Sequence, residues 1–126
     1  MLGTNDLKRC FNAEPKDIAA GAAELVKIVK DFCKEKQDHI PEVILVSPVH
    51  IGEGIESSVF SRSFDHDAVA RSKAFAKEYK AVAKSMKCTF LDAAALAEPS
   101  EKDSLHLTRE AHRALAGALN KLIREL

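Results

Sequence analysis

The stretch Pro41-Glu42-Val43-Ile44-Leu45-Val46 decides how this chain folds. Pro41 sets off an unbroken β-branched and apolar run, Val43 to Val46, of the kind buried on both faces of a parallel sheet. Upstream, Pro15 suits the first position of a helix, where its missing N–H costs nothing. Ile18, Ala22, Leu25, Val29 and Phe32 follow at spacings that place them on one helical face. Downstream, Val69, Ser72, Phe75, Tyr79, Val82 and Met86 form a second stripe and predict one helix. Cys88-Thr89-Phe90-Leu91 then reads as the next parallel strand. A last stripe of Ala111, Leu115, Ala118, Leu122 and Leu126 predicts a closing helix with Thr108 as its N-cap. Helix and strand alternate, so the fold class is α/β with a parallel sheet.

Length and composition fit a single domain over residues 1–126, because 126 residues with 46% hydrophobic content can bury one core. Nineteen basic and nineteen acidic residues cancel, which gives no electrostatic case for nucleic acid or an anionic membrane. The three cysteines, Cys10, Cys33 and Cys88, lie far apart without Cys-x-x-Cys spacing. They read as reduced thiols of a cytoplasmic protein rather than a disulfide framework or a zinc site. No apolar run approaches the roughly 20 residues that span a bilayer, and the N-terminus lacks a basic-then-apolar signal pattern.

Catalytic groups of doubly wound sheets gather in turns beyond the carboxyl ends of parallel strands. Three such turns are on offer here: Gly3-Thr4-Asn5-Asp6, Ser47-Pro48-Val49-His50, and Asp103-Ser104-Leu105-His106. Each also has a plain reading. Asn5 and Asp6 after a glycine suit an ordinary turn, and Asp103 with His106 can simply cap the helix that follows. An imidazole does titrate near pH 6.5, so His106 can accept and return a proton where the surrounding lysines and carboxylates cannot. His39, His66 and His112 read as loop or helix residues. Asp65-His66-Asp67 is explained by helix initiation rather than by a metal. The segment from Ile51 to Phe64 is too long for a simple connection and suits a loop that covers a site or mediates assembly.

The first and last of these turns resemble two sequence blocks of the SGNH (GDSL-type) serine esterases. Order and spacing resemble the arylesterase-like branch over nearly the whole chain: Gly3 to Lys8, then Ile18-Ala19-x-Gly21, Val46-x-Pro48, and His106-Leu107-Thr108-x-Glu110-x-His112. The resemblance implies the C-terminal part of a flavodoxin-like three-layer α/β/α fold and an esterase acting through an acyl-enzyme. By it, Asn5 donates to the oxyanion, with Gly3 and Asp6 shaping its turn, and Asp103 orients His106, the general base. Ser47, Val49, His50 and Phe60 border the pocket of a small ester substrate. It implies no cofactor and no metal.

The family's Gly-Asp-Ser-Leu block, which carries the nucleophile, is not in this sequence. Neither Ser47 nor Cys10 lies in a matching motif, and there is no Gly-x-Ser-x-Gly elbow. The chain therefore reads as an N-terminally truncated esterase domain, inactive alone. Without the first strands of such a fold, Val43 to Val46 is expected to present an open apolar edge, which invites a missing N-terminal segment or a second copy as partner. The alternative is a binding or assembly protein that descends from an esterase and has abandoned the chemistry.

Overall fold

The run around Ile44 forms strand β1 (Ile44–Ser47), and its parallel partner is β2 (Thr89–Asp92), with Leu45 opposite Phe90 and Val46 opposite Leu91. Both strands sit one residue later than the apolar runs suggested. The computed structural model describes all residues from 1 to 126. Four helices accompany the sheet: α1 (Pro15–Gln37), α2 (His66–Lys73), α3 (Phe75–Met86) and α4 (Arg109–Glu125). Pro15 occupies the first turn of α1, and the Thr108 hydroxyl accepts from the Ala111 N–H at 3.1 Å to cap α4.

Alternation along the strands sorts their side chains onto two faces. Leu45 joins Ile18, Ala22 and Val26 of α1 and Phe75, Tyr79 and Ala83 of α3 in the main core, with Phe90 packed against it. Val46 forms the second core with Val49, Ala93 and Leu115 of α4, and Leu91 packs there. Helices thus cover both faces, which is why the run from Val43 to Val46 is apolar without interruption.

The stripe on α1 is covered only in part. Ile18 and Ala22 are buried, whereas Leu25, Val29 and Phe32 are 48%, 45% and 56% exposed, and Val26, which is not on the stripe, is buried instead. The sheet has two strands, and the edge of β1 away from β2 has no partner. An apolar groove of about 180 Å³ runs along that side, lined by Leu2, Leu25, Val29, Val43 and Ile44 among others.

The second stripe predicted one helix, and the structure breaks it at Ala74 into α2 and α3. Ser72 supplies the physical reason. Its buried hydroxyl donates to the Val69 carbonyl at 2.7 Å and accepts from the Ile51 N–H at 2.9 Å. Such back-bonding bends helices, and here it ties α2 to the segment leaving β1. No helix is long and apolar enough to cross a membrane.

Candidate active site

Asp103 and His106 stand in a closed turn. Pro99 and Leu107 form an isolated antiparallel bridge, and the Ser100 N–H donates to the His106 carbonyl at 2.7 Å. Inside it, the Asp103 carboxylate is surrounded by donors. One oxygen accepts from the backbone N–H groups of His106 at 2.9 Å and Leu105 at 3.0 Å, and the other meets His106 Nδ1 at 2.8 Å. The His106 backbone N–H foremost, then its imidazole, hold the Asp103 carboxyl down at about 2, against an ordinary 3.8. An ionised carboxylate can only accept, so Nδ1 carries a proton, and in the neutral imidazole Nε2 then has a free lone pair. The His106 side chain is 68% exposed, which keeps Nε2 within reach of a reacting group.

The turn is also held from outside. Ser104 is buried with φ +59°, and its carbonyl accepts from the Gly52 N–H at 2.8 Å. Phe60 lies with its ring centroid 5.4 Å from that of the His106 imidazole, tilted by 58°. The segment from Ile51 to Phe64 is thus a structured loop, with a 3-10 turn at Glu53–Ser57 and with Ile51, Ile55 and Phe64 buried. Gly52, Gly54 and Ser104 escaped sequence reasoning because their roles arise from contact between distant segments.

Asn5 sits in a 3-10 turn, Thr4–Leu7, with its side chain exposed. The backbone closes this turn, the Asp6 N–H donating to Gly3 O at 3.0 Å, and Asp6 is itself exposed. Gly3 has φ +125°, and a Cβ there would lie 2.5 Å from the Tyr79 hydroxyl and 3.2 Å from Ile18. Glycine is required here by the positive φ and by the Tyr79 and Ile18 side chains beneath the turn. Tyr79 donates to the Leu2 carbonyl at 2.7 Å. Burial, with nearby Asp6 adding to it, pushes its phenol up to about 12. Arg71 ties the turn to α2, reaching the carbonyls of Ala13 and Leu7 at 3.1 and 3.5 Å. The Arg9 N–H donates to the Ser63 carbonyl at 2.9 Å, so the loop that carries Phe60 touches both the Asn5 turn and His106.

The turn after β1 contributes less to an open site. Ser47 is fully buried and donates to Asp92 at 2.9 Å, tying the two strand ends together, and Val49 is buried in the core beneath α4. Neither is accessible to a substrate in this structure; His50 is half-buried. Asp65 caps α2, accepting from the Ala68 N–H at 2.9 Å, as expected for helix initiation. The larger hollows lie elsewhere, one of about 540 Å³ beside Asp6, Phe11 and Tyr79.

No family model and no curated protein matches the chain. Solved structures do. A carbohydrate acetylesterase from Sinorhizobium meliloti is 29% identical with a TM-score of 0.89, over 100% of this chain and 59% of its own. The native aryl esterase of M. smegmatis is 32% identical with a TM-score of 0.90, over the same shares. Over its whole length the chain is similar to esterases of the SGNH type. Its fold matches the C-terminal part of the SGNH esterase fold. A further solved chain is 38% identical at a TM-score of 0.92, over 99% of this chain and 56% of that one. The chain thus spans less than two thirds of the length of the esterases it matches.

Proposed function

We infer that these residues belong to a carboxylic ester hydrolase in which Asp103 and His106 are two members of a serine triad. The observation that carries this reading is the Asp103 carboxylate, held ionised by two backbone N–H groups and bonded to His106 Nδ1 at 2.8 Å. The nucleophile is a serine from a Gly-Asp-Ser block in the part of the esterase fold that these residues do not contain. His106 Nε2 takes the proton from the serine oxygen as that oxygen bonds to the ester carbonyl carbon. The same nitrogen returns the proton to the departing alcohol, leaving an acyl-enzyme. Water then attacks the acyl carbon and gives a proton to His106, which passes it to the departing serine oxygen as the acid is released. Asn5 donates its side-chain amide to the oxyanion formed in each step. No metal and no cofactor takes part.

The esterase relatives make short acyl esters of phenols and sugars the first substrates to test. The unpaired Cys10, Cys33 and Cys88 support a reducing compartment, the cytoplasm. In the protein that carries the serine block, His106→Ala is expected to lower kcat on p-nitrophenyl acetate by roughly 10⁴–10⁶-fold, the range for losing a triad member. Asn5→Ala is expected to cost about 10²–10³-fold, the price of one oxyanion donor. Hydrolysis undiminished by His106→Ala would overturn the assignment and favour a binding or assembly role.

A further inference from the structure

The segment between Gly52 and Phe60 grips the Asp103–His106 turn at two points. At one end, the Gly52 N–H donates to the Ser104 carbonyl at 2.8 Å. A Cβ on Gly52 would sit 2.9 Å from Ser104 Cβ and 3.1 Å from Ser104 Cα, and one on Gly54 would sit 2.8 Å from Ser104 Oγ. Gly52 has φ −74° and ψ 152°, a conformation open to any residue, so the contact and not the backbone excludes a side chain. At the other end, the Phe60 ring rests against the imidazole itself.

The gripping segment is itself fixed. The Ile51 N–H is bonded to the buried Ser72 hydroxyl, and Ile55 is wholly buried. The Ser58 hydroxyl donates to the Ile55 carbonyl at 2.8 Å and accepts from the Phe60 N–H at 3.0 Å. His106 needs such help. Its side chain is 68% exposed, and Asp103 fixes only one of its nitrogens. A ring held at one edge can still swing about that bond, whereas a ring also held by an aromatic neighbour cannot.

We propose that the loop from Gly52 to Phe60 clamps the general base, with Gly52, Gly54 and Phe60 as positioning residues for His106; this rests on the reading of His106 as the base. The loop belongs to the catalytic apparatus through the backbone of Ser104 and the face of the imidazole.

The test uses the protein that carries the serine block, with Phe60→Leu, Phe60→Tyr, Gly52→Ala and Gly54→Ala. Phe60→Leu and Gly52→Ala are expected to lower kcat about tenfold or more with KM little changed, since small misplacements of a catalytic group are costly. Both are expected to move the His106 imidazole resonances in the NMR spectrum. Phe60→Tyr restores the ring and the rate. Gly54→Ala is milder than Gly52→Ala, because the Ser104 hydroxyl can rotate away whereas its Cα and Cβ cannot. If Gly52→Ala fails to fold, the half-buried Phe60 position decides. A Phe60→Leu enzyme with parental kcat, or with a change confined to KM, would make Phe60 a wall of the substrate pocket and overturn the clamp. Loss of activity in His106→Ala beside that result would leave the triad standing. Activity surviving in His106→Ala would instead remove the base assignment and the clamp with it.

Discussion

Asp103 shows how much chemistry one carboxylate can organise at the residue scale. Two backbone N–H groups fix one oxygen, and the other is left for the imidazole. Asp103→Asn separates these jobs. The amide oxygen can still accept from the backbone, but the NH₂ cannot accept from Nδ1–H, so the imidazole is driven to the wrong tautomer. In the serine-bearing protein, kcat is expected to fall by roughly 10⁴-fold while the fold survives. Acid provides an independent check. The folded Asp103 carboxyl titrates near 2 against an ordinary 3.8. The unfolded chain therefore binds this proton first as pH falls, and the stabilisation, complete above the ordinary value, is lost between the two. The difference in urea stability between parent and Asp103→Asn should shrink steadily below about pH 4 and be gone near pH 2. A difference independent of pH would mean that the carboxylate contributes nothing through its charge.

Elements here are joined through single side chains, and Ser72 is the clearest case. Its hydroxyl breaks the helical run and holds the Ile51 N–H, both wholly out of solvent. Ser72→Ala leaves that N–H buried without an acceptor, which is expected to cost about 1–3 kcal/mol in chemical denaturation. Should the stability remain unchanged, water must have replaced the hydroxyl. The same residue marks the limit of what periodicity reveals. Val43 to Val46 announced a strand covered on both faces because burial dictates composition directly, and Thr108 announced a cap because its partner is three residues away. Ser72 fell on the apolar stripe and looked like part of one helix; its decisive partner is in a loop 21 residues back. The site divides in the same way. Asp103 and His106 could be paired from the sequence because their bond is local. Phe60 was read as a border of the substrate pocket rather than as a neighbour of His106, and Gly52 was given no role, since the contacts of each are with a turn far along the chain. Ser47 misled for a related reason. It follows a strand end, where catalytic groups gather, but its hydroxyl is turned to Asp92 on the neighbouring strand.

At the scale of the whole molecule, only 25 of the 126 residues are buried, and one exposed apolar surface lies along β1 and α1. β1 has β2 on one edge and no strand on the other, and Leu25, Val29 and Phe32 extend the uncovered surface along α1. Continuous apolar surface beside unpaired strand edges drives association with other chains. A polypeptide of these 126 residues is therefore expected to self-associate, with a sedimentation mass that rises with protein concentration. Charge at the centre of the surface should prevent this. Val29→Lys and Phe32→Glu together place a cation and an anion three residues apart on a helical face that is already half-exposed, so the helix itself tolerates them. The double variant should sediment as a monomer with an unchanged far-ultraviolet circular dichroism spectrum. In the protein that carries the serine block the same pair should have the opposite effect. There the first strands of the esterase fold are expected to cover this face, so taking both charges out of water should destabilise the enzyme by several kcal/mol. A double variant equally stable in that protein would mean that the face stays open there too, and that the edge of β1 serves a partner rather than the rest of the domain.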